Sequence, residues 1–188
     1  MSKIAVLGGG FNPPHLEHLL ISQQIIFFTQ IEKVWLMPYY AHPWEKPSID
    51  PQHRLAMCEL MKTEGIEVSD FEMKMQKKNY TFETINALVK TYPEHEFSWV
   101  IGSDLLPEFT TWEGWQDILA KVKLLVFPRA GFPIKELPEN SYTINNKLLT
   151  TSDIASEKIR EMVKENLSIK GLVLPAVEEY IKKNNLYK

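Results

Sequence analysis

The chain has 188 residues, with 21 Lys+Arg against 24 Asp+Glu and a net charge of -3. That length suits a single domain, residues 1–188, able to bury a core without staples. The charged fraction of 24% and hydrophobic fraction of 44% exclude disorder, collagen and coiled coil as whole-chain readings. With no basic surplus, no nucleic-acid partner is expected, because duplex binders carry excess Lys and Arg to displace counterions. Anionic small molecules remain open, since they need only a few local cations or helix N-termini.

The first strand is expected at residues 4–7, an apolar run that turns into glycines too soon for a signal peptide. A helix follows over residues 15–29, and its apolar part is broken by Ser22, Gln23 and Gln24, so nothing approaches the roughly 20 apolar residues of a membrane span. Further strands are expected at residues 34–37, 66–69, 97–101 and 124–127, and helices at 51–62, 82–91 and 114–120. Asp50-Pro51 is a helix start, the Asp capping free N–H groups and the Pro giving up no bond. Beyond a loop with Gly131, Pro133 and Pro138 come another strand over residues 142–149 and helices over 156–165 and 175–184. The sole cysteine, Cys58, has no disulfide partner and reads as inert core in a reducing compartment. A cytoplasmic protein with no membrane contact is expected.

Strand and helix alternate, which implies parallel pairing through right-handed crossovers and a doubly wound α/β sheet. Ligands of such sheets bind beyond the carboxyl ends of the strands, so the loops after Leu7, Met37, Ile101 and Phe127 should line one crevice.

The loop after the first strand reads Gly8-Gly9-Gly10-Phe11-Asn12-Pro13-Pro14-His15-Leu16-Glu17-His18. Glycines admit a bulky anion, a helix N-terminus offers N–H groups, and histidines at i and i+3 share a face, a combination suited to polyphosphate. A tight turn with two surface or capped histidines is the bland alternative. Zinc lacks a third ligand of suitable spacing. Residue 13 is Pro where a dinucleotide fingerprint has its third glycine, and no Walker Gly-Lys-Ser/Thr occurs.

The same stretch, Gly-Gly-x-Phe-Asn-Pro-Pro-His-x-x-His, resembles the signature of nucleotidyltransferases with a His-x-Gly-His motif, specifically the bacterial nicotinate-nucleotide adenylyltransferases. The resemblance extends through Met37-Pro38, His53-Arg54-Leu55-Ala56-Met57, Tyr80-Thr81 with Thr84, Ile101-Gly102-Ser103-Asp104, Phe109 with Trp112 and Trp115, Ile159-Arg160, and the tail from Leu174 to Tyr187.

It implies a Rossmann-like nucleotidyltransferase fold with C-terminal helices. The implied reaction is attack by the phosphate of nicotinate mononucleotide on the α-phosphorus of ATP, with Mg²⁺ and no covalent intermediate. Carried over, Gly8, Gly9, Phe11, Asn12, Gly102, Asp104 and Ser156 would bind ATP. His15 and His18 would hold its phosphates, His18 steadying the charge at the α-phosphate, and Arg160 would grip the pyrophosphate portion. Lys46 would add a cation, Trp112 would stack on the pyridine ring, and Tyr80 and Thr81 would offer donors to the substrate carboxylate. The resemblance assigns no protein-held metal.

Relatives that use nicotinamide mononucleotide, phosphopantetheine or CTP, a degenerate nucleotide binder, and a flavodoxin-like module are the alternatives. Three residues depart from the family pattern: Gly10 replaces a small hydroxyl residue, Glu17 replaces the glycine between the histidines, and Glu157 stands in the motif Ala155-Ser156-Glu157-Lys158-Ile159-Arg160. Either carboxylate could point outward from a first helical turn, hold Mg²⁺, or mark weakened ATP use; outward is the expectation.

Overall fold

The computed structural model describes residues 1–41 and 48–188. Lys46 lies outside the described residues. The elements run β1 (Ser2–Gly9), α1 (Leu16–Phe28), β2 (Lys33–Pro38), α2 (Pro51–Glu59), β3 (Ile66–Val68), α3 (Phe71–Met75) and α4 (Thr81–Thr91). They continue with β4 (His95–Gly102), a 3-10 turn (Leu106–Thr111), α5 (Trp115–Lys121), β5 (Lys123–Phe127), β6 (Ser141–Thr143), α6 (Ser156–Lys164) and α7 (Pro175–Lys183). The strands form one sheet in the order β3-β2-β1-β4-β5-β6, and every pairing is parallel.

Strand periodicity divides the apolar runs between two faces. From β1, Ala5 and Leu7 join one core while Ile4 and Val6 join the other. In β5, Leu125 and Phe127 face the first core, and Leu124 and Val126 the second. Ile25 of α1, Met57 of α2, Ile159 of α6 and Val177 of α7 cover the first face; Ile85 and Leu88 of α4 and Ile118 of α5 cover the second. A strand buried on both sides has no polar face, which is why its sequence reads as an unbroken apolar run. Each large apolar side chain among them contributes about 1.5–3 kcal/mol of burial.

Asp50 caps α2 as expected, its carboxylate accepting from the Gln52 N–H at 2.7 Å. Cys58 is fully buried, and burial pushes its thiol up, in keeping with a core residue. The strand expected over residues 142–149 is confined to Ser141–Thr143, since Asn145 and Asn146 break the pattern and Asn146 accepts the Leu148 N–H in a tight turn. Strand order reverses between β1 and β4, so the loops at their carboxyl ends splay apart and open a crevice there.

Candidate active site

Two neighbouring cavities occupy that crevice. The first, about 250 Å³, is lined by Gly8, His15, Glu17, His18, Gly102, Asp104, Arg129 and Ser156 among others. The second, about 440 Å³, is lined by Gly8, Gly9, Gly10, Tyr39, Glu72, Asn79, Tyr80, Thr81 and Trp112 among others. Gly8, Val100, Ile101 and Leu105 border both, so one wall at the ends of β1 and β4 separates the histidines from the tryptophan.

His15 is the N-cap of α1 and is 5% exposed. Its backbone N–H donates to Nδ1 of His18 at 3.1 Å, and the two rings lie 3.8 Å apart. Phe11 packs on His18 from its other side, with centroids 4.7 Å apart. Burial, with the Arg129 guanidinium nearby, lowers the His15 pKa to about 4. Burial, His15 and Arg129 push His18 well below the usual imidazole range. Both rings are therefore neutral near pH 7, and because His18 Nδ1 accepts a hydrogen bond, its proton resides on Nε2.

Positive charge comes instead from Arg129, two residues past β5, which sequence reasoning left unnamed although it had placed the loop after Phe127 in the crevice. Its Nη1 lies 3.5 Å from Asp104 Oδ2, and its backbone N–H donates to Ser103 Oγ at 2.9 Å. Asp104 Oδ1 is buried with no hydrogen-bond partner among the described residues. Asp104 does not cap the 3-10 turn, which starts at Leu106 with Leu105 as its N-cap and no side-chain cap. Gly102 is required here: a Cβ would stand 2.8 Å from Arg129 Cδ and collide with the Asp104 carboxylate.

Glu17 does not point outward. It is 2% exposed, and its carboxylate accepts from the hydroxyl of Ser152 and from the Ser152 N–H at 3.5 Å. The acid thus ties α1 to the segment leading into α6. Glu157 is exposed, as expected of a first-turn carboxylate.

Ser156 and Arg160 of α6 grip the glycine loop from behind. Ser156 Oγ donates to the Pro13 carbonyl at 2.7 Å, and Arg160 Nη1 donates to the Asn12 carbonyl at 2.8 Å. Ser156 lines the first cavity, whereas Phe11, Asn12 and Arg160 line neither. In the second cavity, Tyr80 precedes α4 and its N–H is already donated to Glu83 at 2.9 Å. Thr81, the first residue of α4, retains a first-turn N–H with no intrahelical acceptor. Trp112 ends the 3-10 turn and packs on Phe109, centroids 5.5 Å apart, rather than being sealed in the core.

Arg54 and Glu72 also escaped sequence reasoning as site supports. Arg54 is 1% exposed and donates to the carbonyls of Gly10 at 2.9 Å and Tyr40 at 2.8 Å. Glu72 is 8% exposed, and burial raises its carboxyl to about 7. Among the described residues no three His, Cys, Asp or Glu side chains are grouped to hold a metal ion. No helix among them is long and apolar enough to cross a membrane.

Residues 6–162 match the cytidylyltransferase-like family model. A relative from Flavobacterium johnsoniae, named probable nicotinate-nucleotide adenylyltransferase, is 34% identical, covering 99% of this chain and 99% of its own. A relative of the same name from Shouchella clausii is 31% identical, covering 100% and 97%. The fold is similar to that of Plasmodium falciparum nicotinic acid mononucleotide adenylyltransferase, solved complexed with NaAD, at a TM-score of 0.85 and 22% identity, covering 100% of this chain and 98% of that one. The glycine loop, the paired histidines and the relatedness along the whole chain converge: this chain belongs to the nicotinate-nucleotide adenylyltransferases, nucleotidyltransferase enzymes of the cytidylyltransferase-like family.

Proposed function

We propose that the chain, acting in the cytoplasm as one nucleotidyltransferase domain, condenses ATP with nicotinate mononucleotide to give nicotinate adenine dinucleotide and pyrophosphate, a step of NAD biosynthesis. The observation that carries this reading is the pair of cavities sharing the wall of Gly8 and Ile101. ATP occupies the histidine side and the mononucleotide the tryptophan side, so the attacking phosphate and the α-phosphorus meet at the end of β1.

A phosphate oxygen of the mononucleotide attacks the α-phosphorus of ATP. The bond from that phosphorus to the bridging oxygen of the β-phosphate breaks, and pyrophosphate leaves with the electron pair. The protein's task is placement and charge stabilisation. His18 donates its Nε2–H to an α-phosphate oxygen; being neutral and held by His15, it needs no reorganisation as charge builds. Arg129 supplies the cation beside the histidines, and the Asp104 Oδ1 acceptor suits a hydroxyl on the adenosine side. Gly8, Gly9 and Ser156 shape the phosphate path.

Arg160 acts from behind the loop of Phe11 and Asn12, fixing it through the Asn12 carbonyl, and serves the pyrophosphate end of ATP. Trp112 stacks on the pyridine ring, and the Thr81 N–H, beside Tyr80, receives the carboxylate. Lys46 serves as a further phosphate cation. Magnesium enters with ATP as part of the substrate, since among the described residues two neutral imidazoles, an ion-paired Asp104 and a Glu17 held by Ser152 do not cage a hard cation.

Purified protein incubated with Mg-ATP and either nicotinate or nicotinamide mononucleotide tests this. Pyrophosphate and dinucleotide form with the nicotinate substrate. Tight ATP binding with no product from either would overturn the assignment in favour of a degenerate binder.

A further inference from the structure

The hydroxyl missing at Gly10 has a substitute in the fold. Tyr39, directly after β2, lines the second cavity beside Gly8, Gly9 and Gly10. A Cβ built on Gly10 would stand 2.9 Å from the Tyr39 hydroxyl oxygen and 3.3 Å from Cζ. The phenol therefore fills the space that the side chain of any other residue at position 10 would take.

Ties from both neighbouring loops fix its position. The Tyr39 N–H donates to the Gly9 carbonyl at 3.1 Å. The Arg54 guanidinium carbon lies 4.8 Å from the ring centroid, a cation–π distance. The same guanidinium bonds the carbonyls of Gly10 and Tyr40. One buried cation thus locks the loop after β1 to the loop after β2, with the phenol between them. Burial holds the phenol above its ordinary pKa, so the oxygen keeps its hydrogen near pH 7.

We infer that Tyr39 is a substrate-binding residue whose hydroxyl donates to the 5′-phosphate of the mononucleotide, standing in for a side-chain hydroxyl at position 10. The inference rests on the proposed reaction. A contact to the attacking phosphate present before and during the transfer is uniform binding, so its loss shows in KM more than in kcat.

Three variants test it: Y39F, which keeps the ring over Arg54; G10A, whose methyl displaces the hydroxyl from the other side without replacing it; and G10S/Y39F, which returns a hydroxyl to the same space. Y39F and G10A each raise KM for nicotinate mononucleotide about tenfold or more, as expected for a bond to a charged group. Their kcat stays within about threefold and KM for ATP does not move. G10S/Y39F recovers most of the loss. Either single variant suffices, so the test does not depend on both folding, and thermal unfolding of each reports that separately. A parent that makes dinucleotide while a folded Y39F or G10A keeps the parental KM overturns the inference alone. A parent that makes none overturns the reaction and the inference with it.

Discussion

The backbone N–H of His15 donates to Nδ1 of His18 at 3.1 Å, which leaves the His18 proton on Nε2. This bond makes one imidazole a fixed, uncharged donor. H18A should lower kcat by about 100- to 1000-fold, the usual effect of removing one donor to developing charge, with a smaller change in KM for ATP. Initial rates over a range of ATP concentrations measure it; an unchanged kcat would contradict the assigned role.

Arg129 acts on the same rings through its charge. R129A should raise the pKa of His15 and of His18, because a cation that disfavours their protonated forms is removed. It should also weaken ATP binding. NMR titration of the histidine ring protons reports the first effect and calorimetry the second.

Stability should depend on pH through two histidines and one carboxyl that act in opposite directions. His15 titrates at about 4 when folded against an ordinary 6.5. Between those values the unfolded chain binds a proton that the folded chain refuses, so stability falls as pH drops from 6.5, by about 3 kcal/mol in all; His18 acts in the same direction. Glu72 is the reverse: at about 7 against 4.5, it keeps its proton when folded, so stability falls as pH rises through that window, again by about 3 kcal/mol. E72Q removes this second loss. Urea unfolding at pH 5 and pH 7 should show stability rising more steeply with pH in E72Q than in the parent, and equal slopes would refute it.

Glu17 and Glu157 should separate cleanly. E17A leaves the Ser152 donors without their acceptor in a buried place and should cost about 1–3 kcal/mol of stability. E157T, at an exposed position, should stay within about 0.5 kcal/mol of the parent. Thermal or urea unfolding compares the two.

The sheet was legible because each central strand is buried on both faces and leaves an unbroken apolar run, and because Asp50-Pro51 and the glycines punctuate it. Phe71–Met75 and Leu106–Thr111 passed unnoticed since five or six residues cannot display a helical period. The cavities bring Gly8, Gly9, His15, His18, Gly102, Asp104, Ser156 and Trp112 to one crevice, where spacing and resemblance had pointed. Arg129, Arg54 and Tyr39 were not legible as site residues, because their work depends on contacts across the chain, such as the Arg54 bond to the Gly10 carbonyl. The charge state of the histidines was hidden for the same reason: burial, which no spacing reveals, makes them neutral.

The two adjoining cavities imply one direct transfer between two bound substrates, and the stereochemistry at the α-phosphorus tests that most directly. With ATP made chiral by an α-phosphorothioate and nicotinate mononucleotide as acceptor, a single in-line displacement inverts the configuration at phosphorus in the dinucleotide product. Inversion is the predicted result. Retention would require an intermediate held on the protein and would contradict the account.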